Sequence, residues 1–420
     1  MPNSRSLQIA CCVAILGSGI GPAAADDLDF AELTAPEHDY WNRPLNDPFT
    51  KLKEDLQAGR LNLDTSSEKA YLLSLLAELK IPVSTQMLVF STTSLQLRLI
   101  SPRSPRALYF NEDLYLGYVP GGKIEIVSLD PQIGGIFYIF DIPRGNRPPV
   151  VERSSRCMNC HSDDDTRQVP GIVIKSVIPG SRGGSLDSFR RSQTGHQIPW
   201  EDRFGGWHVT GKHGIEKHWG NQIGQFSPEG IVTTEIPPGT EFDWSVYPVK
   251  SSDILAHLLH EHQAGFVNRA VELQYRTRSY LQEGGGRLQP ERREQILEHS
   301  QALVRYLLFA DETPFPSGGI DGAVELKEAF LATRRMTQEG LSLKDFNLET
   351  RMFQFRCSYM IYSSIFQGLP EGLRQQIYRL MVAALDPEKA GPAYDYLPTQ
   401  EKGAILKILR ETIPEFPGSS

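Results

Sequence analysis

The stretch that most constrains this 420-residue chain is Cys157-Met158-Asn159-Cys160-His161. Two thiols three positions apart, followed at once by an imidazole, form the CxxCH pattern of covalent c-type haem attachment. The thiols add across the vinyl groups of the haem, and the imidazole is placed to bind the iron from one face. A zinc half-site would want a second Cys/His pair at matching spacing, and Cys357, the only cysteine further along, has none. A redox dithiol of the thioredoxin kind is expected near a βαβ pattern. Here the motif lies in a polar loop that continues into Asp163-Asp164-Asp165.

Compartment supports the haem reading. Arg5, the apolar run 7–20 and Ala23-Ala24-Ala25 before Asp26 spell a secretory signal peptide over 1–25, which would remove Cys11 and Cys12. A lipoprotein reading of that cysteine pair fits less well, because the apolar core runs on past it. No later segment approaches the ~20 apolar residues that span a bilayer, so the expectation is a mature chain without a transmembrane segment, exported to a periplasm. An odd set of Cys157, Cys160 and Cys357 then remains in an oxidising setting. Two thiols taken by haem and one buried free thiol resolve the parity. The net charge of -8 argues against a nucleic-acid partner or an anionic membrane and suits a basic redox partner protein. Nothing in the sequence speaks to oligomeric state.

At ~150 residues per domain the length allows two or three units. The divisions expected are the signal peptide 1–25, a mixed α/β region with short strands at 26–150, a haem-attachment region at 151–250 and a helical domain at 251–420. Tyr71, Leu72, Leu75, Leu76 and Leu79 predict a helix over 67–79, closed by Pro82. Short apolar or alternating runs at 88–90, 95–100, 107–110, 114–119, 124–129 and 136–142, split by Pro and Gly, predict strands. Further strands are expected at 172–178 and within 205–211. Beyond Ser251, Ser252 and Asp253 can cap a helix whose stripe is Leu255, Leu258, Leu259, His262, Phe266 and Leu273, which leaves His257 and His260 for the surface. Pro290 opens a second helix to about 309, and others are expected over 323–336, 351–365, 373–385 and 400–408. The fold class predicted is α+β: a β-rich N-terminal and haem-binding part, then an all-helical C-terminal part. Because the motif falls between β segments, the small all-helical class I cytochrome c fold is not expected.

The sixth iron position separates an electron carrier from an enzyme. His196, His208, His213 and His218 follow the motif in a segment containing Trp200, Trp207 and Trp219, as suits a haem pocket wall. His262 lies on an apolar helical stripe, where an unpaired imidazole is costly. The candidates for the distal position are therefore His218, His213 and His262, with His161 proximal. Met336, Met352, Met360 and Met381 fall in apolar helical runs and read better as packing. Cys357 reads as a buried apolar residue.

Several stretches carry a resemblance: Ile81-Pro82-Val83-Ser84, Leu88 to Ser91, Ser101-Pro102 to Asn111, Gly134 to Asp141, the CxxCH motif, Pro170-Gly171, Gly205-Gly206-Trp207 to Gly211, His213-Gly214, His218 to Asn221, Glu261-His262-Gln263 and Cys357-Ser358-Tyr359. In these the chain resembles a family of exported, single-haem cytochrome c domain-containing proteins. The resemblance implies one covalent haem c and a periplasmic setting, and no particular reaction. It places His196, His213, His218, His262 and Cys357 at family motif positions and His208 where an aromatic is more usual. The expected function is electron transfer through a haem iron held by His161 and a second histidine. The alternative is a periplasmic haem enzyme, peroxidase-like or reducing a small oxidant, with an open or exchangeable sixth site and a distal histidine as acid or base.

Overall fold

The computed structural model describes residues 29–61, 63–143, 145, 147–188 and 194–419. The expected signal peptide, with Cys11 and Cys12, lies outside the described residues. The chain has mixed α/β content, with a sheet in its N-terminal half and helices in its C-terminal part. Helices α1 (Pro48–Gln57) and α2 (Glu68–Glu78) come first. Each begins on a capped turn: the Asp47 side chain accepts from Phe49 and Thr50, and the Ser67 side chain accepts from Ala70. Strands β1 (Met87–Val89), β2 (Arg106–Phe110), β3 (Leu114–Tyr118), β4 (Lys123–Asp130), β5 (Gly134–Asp141) and β6 (Glu152–Arg153) then form an antiparallel meander. The one-turn helix α3 (Met158–His161) and the hairpin of β7 (Val177–Pro179) and β8 (Ser185–Ser188) follow. Strand β9 (Trp207–His208) returns to pair with β1, giving a seven-stranded sheet in the order β6-β5-β4-β3-β2-β1-β9. A hairpin of β10 (Gln222–Ser227) and β11 (Gly230–Glu235) precedes the helices.

The pleat divides the sheet between two cores. Leu88, Ala107, Tyr109, Leu116, Tyr118, Ile124, Ile126, Tyr138 and Phe140 face α1 and α2 and form one cluster with them. Met87, Val89, Phe110, Tyr115 and Trp207 face the other way, into a larger cluster that reaches from Phe30 to Phe416. Its axis is α4 (Ile254–Glu283), capped by Asp253, whose side chain accepts from Leu255. Around it stand α5 (Pro290–Leu307), α6 (Val324–Leu331), α7 (Ser364–Gln367), α8 (Glu371–Leu385) and α9 (Thr399–Thr412).

Helix α4 is buried on nearly every side, although much of its sequence is polar. An unpaired buried polar group costs ~1–3 kcal/mol, and several of the polar residues find partners. Gln263 donates to the Tyr359 hydroxyl at 2.9 Å and accepts from Tyr115 at 3.0 Å. Gln274 donates to the Pro131 and Gly368 carbonyls, and Arg276 pairs with Glu272. A helix read as amphipathic is therefore a central one, and His257 and His260, expected at the surface, are 4% and 5% exposed.

Four other elements differ from expectation for local reasons. The run 95–100 is a turn segment, not a strand, held to β4 by Gln96, whose side chain bonds Lys123 and Glu125. Of 172–178 only the end pairs, as β7, because Ile172 is engaged by the Asn268 side chain instead of a strand. The helix expected over 323–336 is the shorter α6. The expected 351–365 helix is irregular up to a single 3-10 turn at Tyr359–Tyr362, followed by α7. Ser358 and Ser363 cap those two turns and restart the chain locally.

Candidate functional site

The CxxCH segment crosses the edge of the sheet. After β6, the Ser154 amide donates to the Phe137 carbonyl at 2.9 Å, and a 3-10 turn over Ser155–Cys157 leads into α3. Residues three apart on such a turn share a face. Cys157 and Cys160 are thus presented together as free thiols, half-buried and exposed respectively. Met158 turns into the cluster under α1 and α2 and does not face the site. Burial raises the Cys157 thiol above its ordinary range.

His161 packs against Phe137 of β5 with ring centroids 4.5 Å apart. Its Nδ1 lies 2.9 Å from the Gly171 carbonyl oxygen. A carbonyl can only accept, so Nδ1 carries the proton and Nε2 keeps its lone pair. Metal-binding histidines are oriented in this way by a second partner that also raises their basicity. Desolvation lowers the His161 pKa, which keeps the ring neutral, as ligation requires. Gly171 is itself fixed on three sides. Its amide donates to the His161 carbonyl at 2.9 Å, the preceding Pro170 carbonyl accepts from Gly135 at 2.9 Å, and Ile172 is held through both backbone groups by Asn268 of α4 at 2.8 and 2.9 Å.

Beside His161 the α4-facing side of the sheet is open. On β2 and β4, both interior strands, Arg106, Leu108, Glu125 and Val127 are only half-buried, while their neighbours on the other face are buried. Gly117 of β3 sits between Leu108 and Glu125 in register. The pair Arg106–Glu125, 2.9 Å apart, lies on this floor, and partly buried Ile174 packs nearby on the same cluster. Interior strands under a helix are normally sealed, and the incomplete burial of these four side chains marks a less closely covered part of this face, called the crevice below. Free thiols at its rim, an oriented imidazole with a free Nε2 and an apolar floor are the donor set and the space that a covalent haem requires.

The other sequence candidates are spread over the molecule. His213 and His218 face each other edge to face at 5.1 Å, and their Nδ1 atoms accept from Ile215 and Gly220 at 3.2 and 3.0 Å. Both follow β9, and five strand spacings of about 4.8 Å separate β9 from the β5 strand under His161. The ring contacts of the pair are to each other and to Phe204. Burial lowers His218 to about 4 and lowers His213 as well. His262 has no free nitrogen: Nδ1 lies 2.9 Å from Nδ1 of His196 and Nε2 lies 2.7 Å from the Ser358 hydroxyl. Beside it the buried Arg203–Glu261 pair closes at 2.8 Å. His208 sits between Phe90 and Phe242 on the face away from the crevice. Met352, Met360 and Met381 are core residues and Met336 is half exposed. Cys357 is fully buried, and burial drives its thiol well upward.

Sequence reasoning missed His260. Its ring stands over Phe110 and Tyr115, each 5.5 Å away, with Trp207 at 6.4 Å. These are residues of the crevice face, and only the total burial of α4 reveals that His260 points there. Among the described residues no group of three or more His, Cys, Asp or Glu converges as a metal site, and no helix is long and apolar enough to cross a membrane. Comparisons with protein-family models, curated proteins and solved structures return no match.

Proposed function

We propose that this chain is an exported c-type cytochrome that carries one haem, joined through Cys157 and Cys160 with His161 as proximal iron ligand, and transfers electrons to or from a basic partner protein. The observation that carries this reading is the His161 Nδ1 to Gly171 carbonyl bond, which leaves the Nε2 lone pair available beside two free thiols. Bound there, haem supplies one-electron redox chemistry. The chain's residues do the rest. The β5 strand and the 170–172 segment hold the His161 ring, Leu108 and Val127 exclude water, and the Arg106–Glu125 pair puts compensated charge on the floor. Exposed Asn159 and Cys160 leave the attachment edge at the surface, as transfer to a docked protein needs. The resemblance to single-haem cytochrome c domain proteins and the export signal support the same reading.

The test is production in cells with active haem-attachment machinery. The wild-type chain is expected to emerge coloured and one haem heavier than the polypeptide, and the double variant Cys157→Ala/Cys160→Ala to emerge without covalent haem. A colourless wild type at the polypeptide mass overturns the reading.

A further inference from the structure

We infer that His260 is the second axial ligand of the haem iron, facing His161 across the crevice. The inference rests on the haem reading above and adds the residue that completes it. The sheet register supplies the geometry. Phe110, Tyr115, Val127 and Phe137 are successive partners in one row across β2, β3, β4 and β5. His260 stands over Phe110 and Tyr115 at one end of the row, and His161 stands over Phe137 at the other. Tyr115 and Phe137 are two strands apart, about 9.6 Å at about 4.8 Å per strand, with half-buried Val127 between them. Metal–imidazole bonds run about 2 Å, so two imidazoles held over positions two strands apart would be suited to hold one iron between them.

The second observation is the state of the His260 ring. It is 5% exposed, yet neither nitrogen has a hydrogen-bond partner. A buried imidazole without a partner costs ~1–3 kcal/mol, and an iron ligand role would remove that cost. The sequence candidates lack this combination, since His262 is engaged at both nitrogens and His213 and His218 each accept a backbone N–H at Nδ1.

The experiment compares haem-loaded wild type with His260→Ala, His257→Ala, His213→Ala and His218→Ala, with covalent haem counted in each by a pyridine haemochrome assay. Paramagnetic resonance is expected to show a low-spin ferric bis-imidazole signal in wild type, a high-spin signal in His260→Ala alone, and recovery of the low-spin signal when imidazole is added to that variant. A low-spin signal that survives His260→Ala, or that is lost in one of the other three variants instead, overturns the assignment. So does a high-spin wild type carrying its haem. Should His260→Ala fail to fold by circular dichroism, His260→Met fills the same space and is expected to abolish the bis-imidazole signal; its persistence sinks the inference. A chain that never acquires haem fails at the parent reading, which the haemochrome count reports separately.

Discussion

Gly171 shows how little freedom the site leaves a single residue. A Cβ there would lie 2.3 Å from the Asn268 side-chain oxygen and 2.9 Å from the Thr166 Cβ. Gly171→Ala must therefore shift either the Ile172–Asn268 pairing or the carbonyl that orients His161. Overpacking of this kind costs ~1–3 kcal/mol. The expected result is a lower thermal midpoint together with an altered iron spectrum at unchanged covalent haem content, read by calorimetry and absorbance. An unchanged spectrum would mean that the carbonyl does not orient the ring. Cys157, Cys160 and His161 stand out in the chain because the chemistry proposed for them needs them adjacent in sequence. His260 does not, because its burial against Phe110 and Tyr115 has no one-dimensional signature.

At the scale of the element, Asn268 links the crevice to α4. Its amide satisfies the backbone N–H and C=O of Ile172 in the interior. Asn268→Leu keeps the volume and strands both groups, at ~1–3 kcal/mol each. A fall of about 2–6 kcal/mol in unfolding free energy is expected on that principle, with the denaturant midpoint as the check; a change within error would show that Ile172 finds other partners. The strands of the meander were legible because turn residues separate them and one face of each packs on α1 and α2. The exact character of α4 was not. Its apolar stripe at Leu255, Leu258, Leu259 and Phe266 implies an outer face, and only the docking of α5, α7 and the sheet around it removes that face. The helix expected over 351–365 failed for the opposite reason. Its apolar residues are core residues, but Ser358 and Ser363 divide the chain with local caps that outweigh periodicity over so short a run.

For the whole molecule, buried imidazoles govern the response to acid. Burial lowers His257 and His262 to about 3 and His208 to about 4, against about 6.5 in an unfolded chain. Below pH 6.5 the unfolded state thus binds more protons than the native state, so their contribution is fully present above that value and is lost as pH falls toward 3 to 4. Glu312 opposes this, because burial pushes it up to about 7, and its contribution favours the native state at lower pH and fades as pH rises. Three imidazoles outweigh one carboxyl. The denaturant midpoint is expected to fall steadily from pH 7.5 to pH 4.5, and Glu312→Gln to steepen the fall. A flat profile would show that these rings charge without unfolding.

The Ile172–Asn268 contact joins positions 96 residues apart, so one wall of the crevice is made long before the other during synthesis. A loosely bound guest entering early would meet only half a container and could escape; entering late, it would have to pass a closed helix. On the haem proposal, permanent bonds to a surface loop at the rim would remove this timing problem. They would let the passenger be fastened to an incomplete chain and then enclosed as the second half arrives, a mechanical reason for tethering where the covering helix is encoded so far downstream.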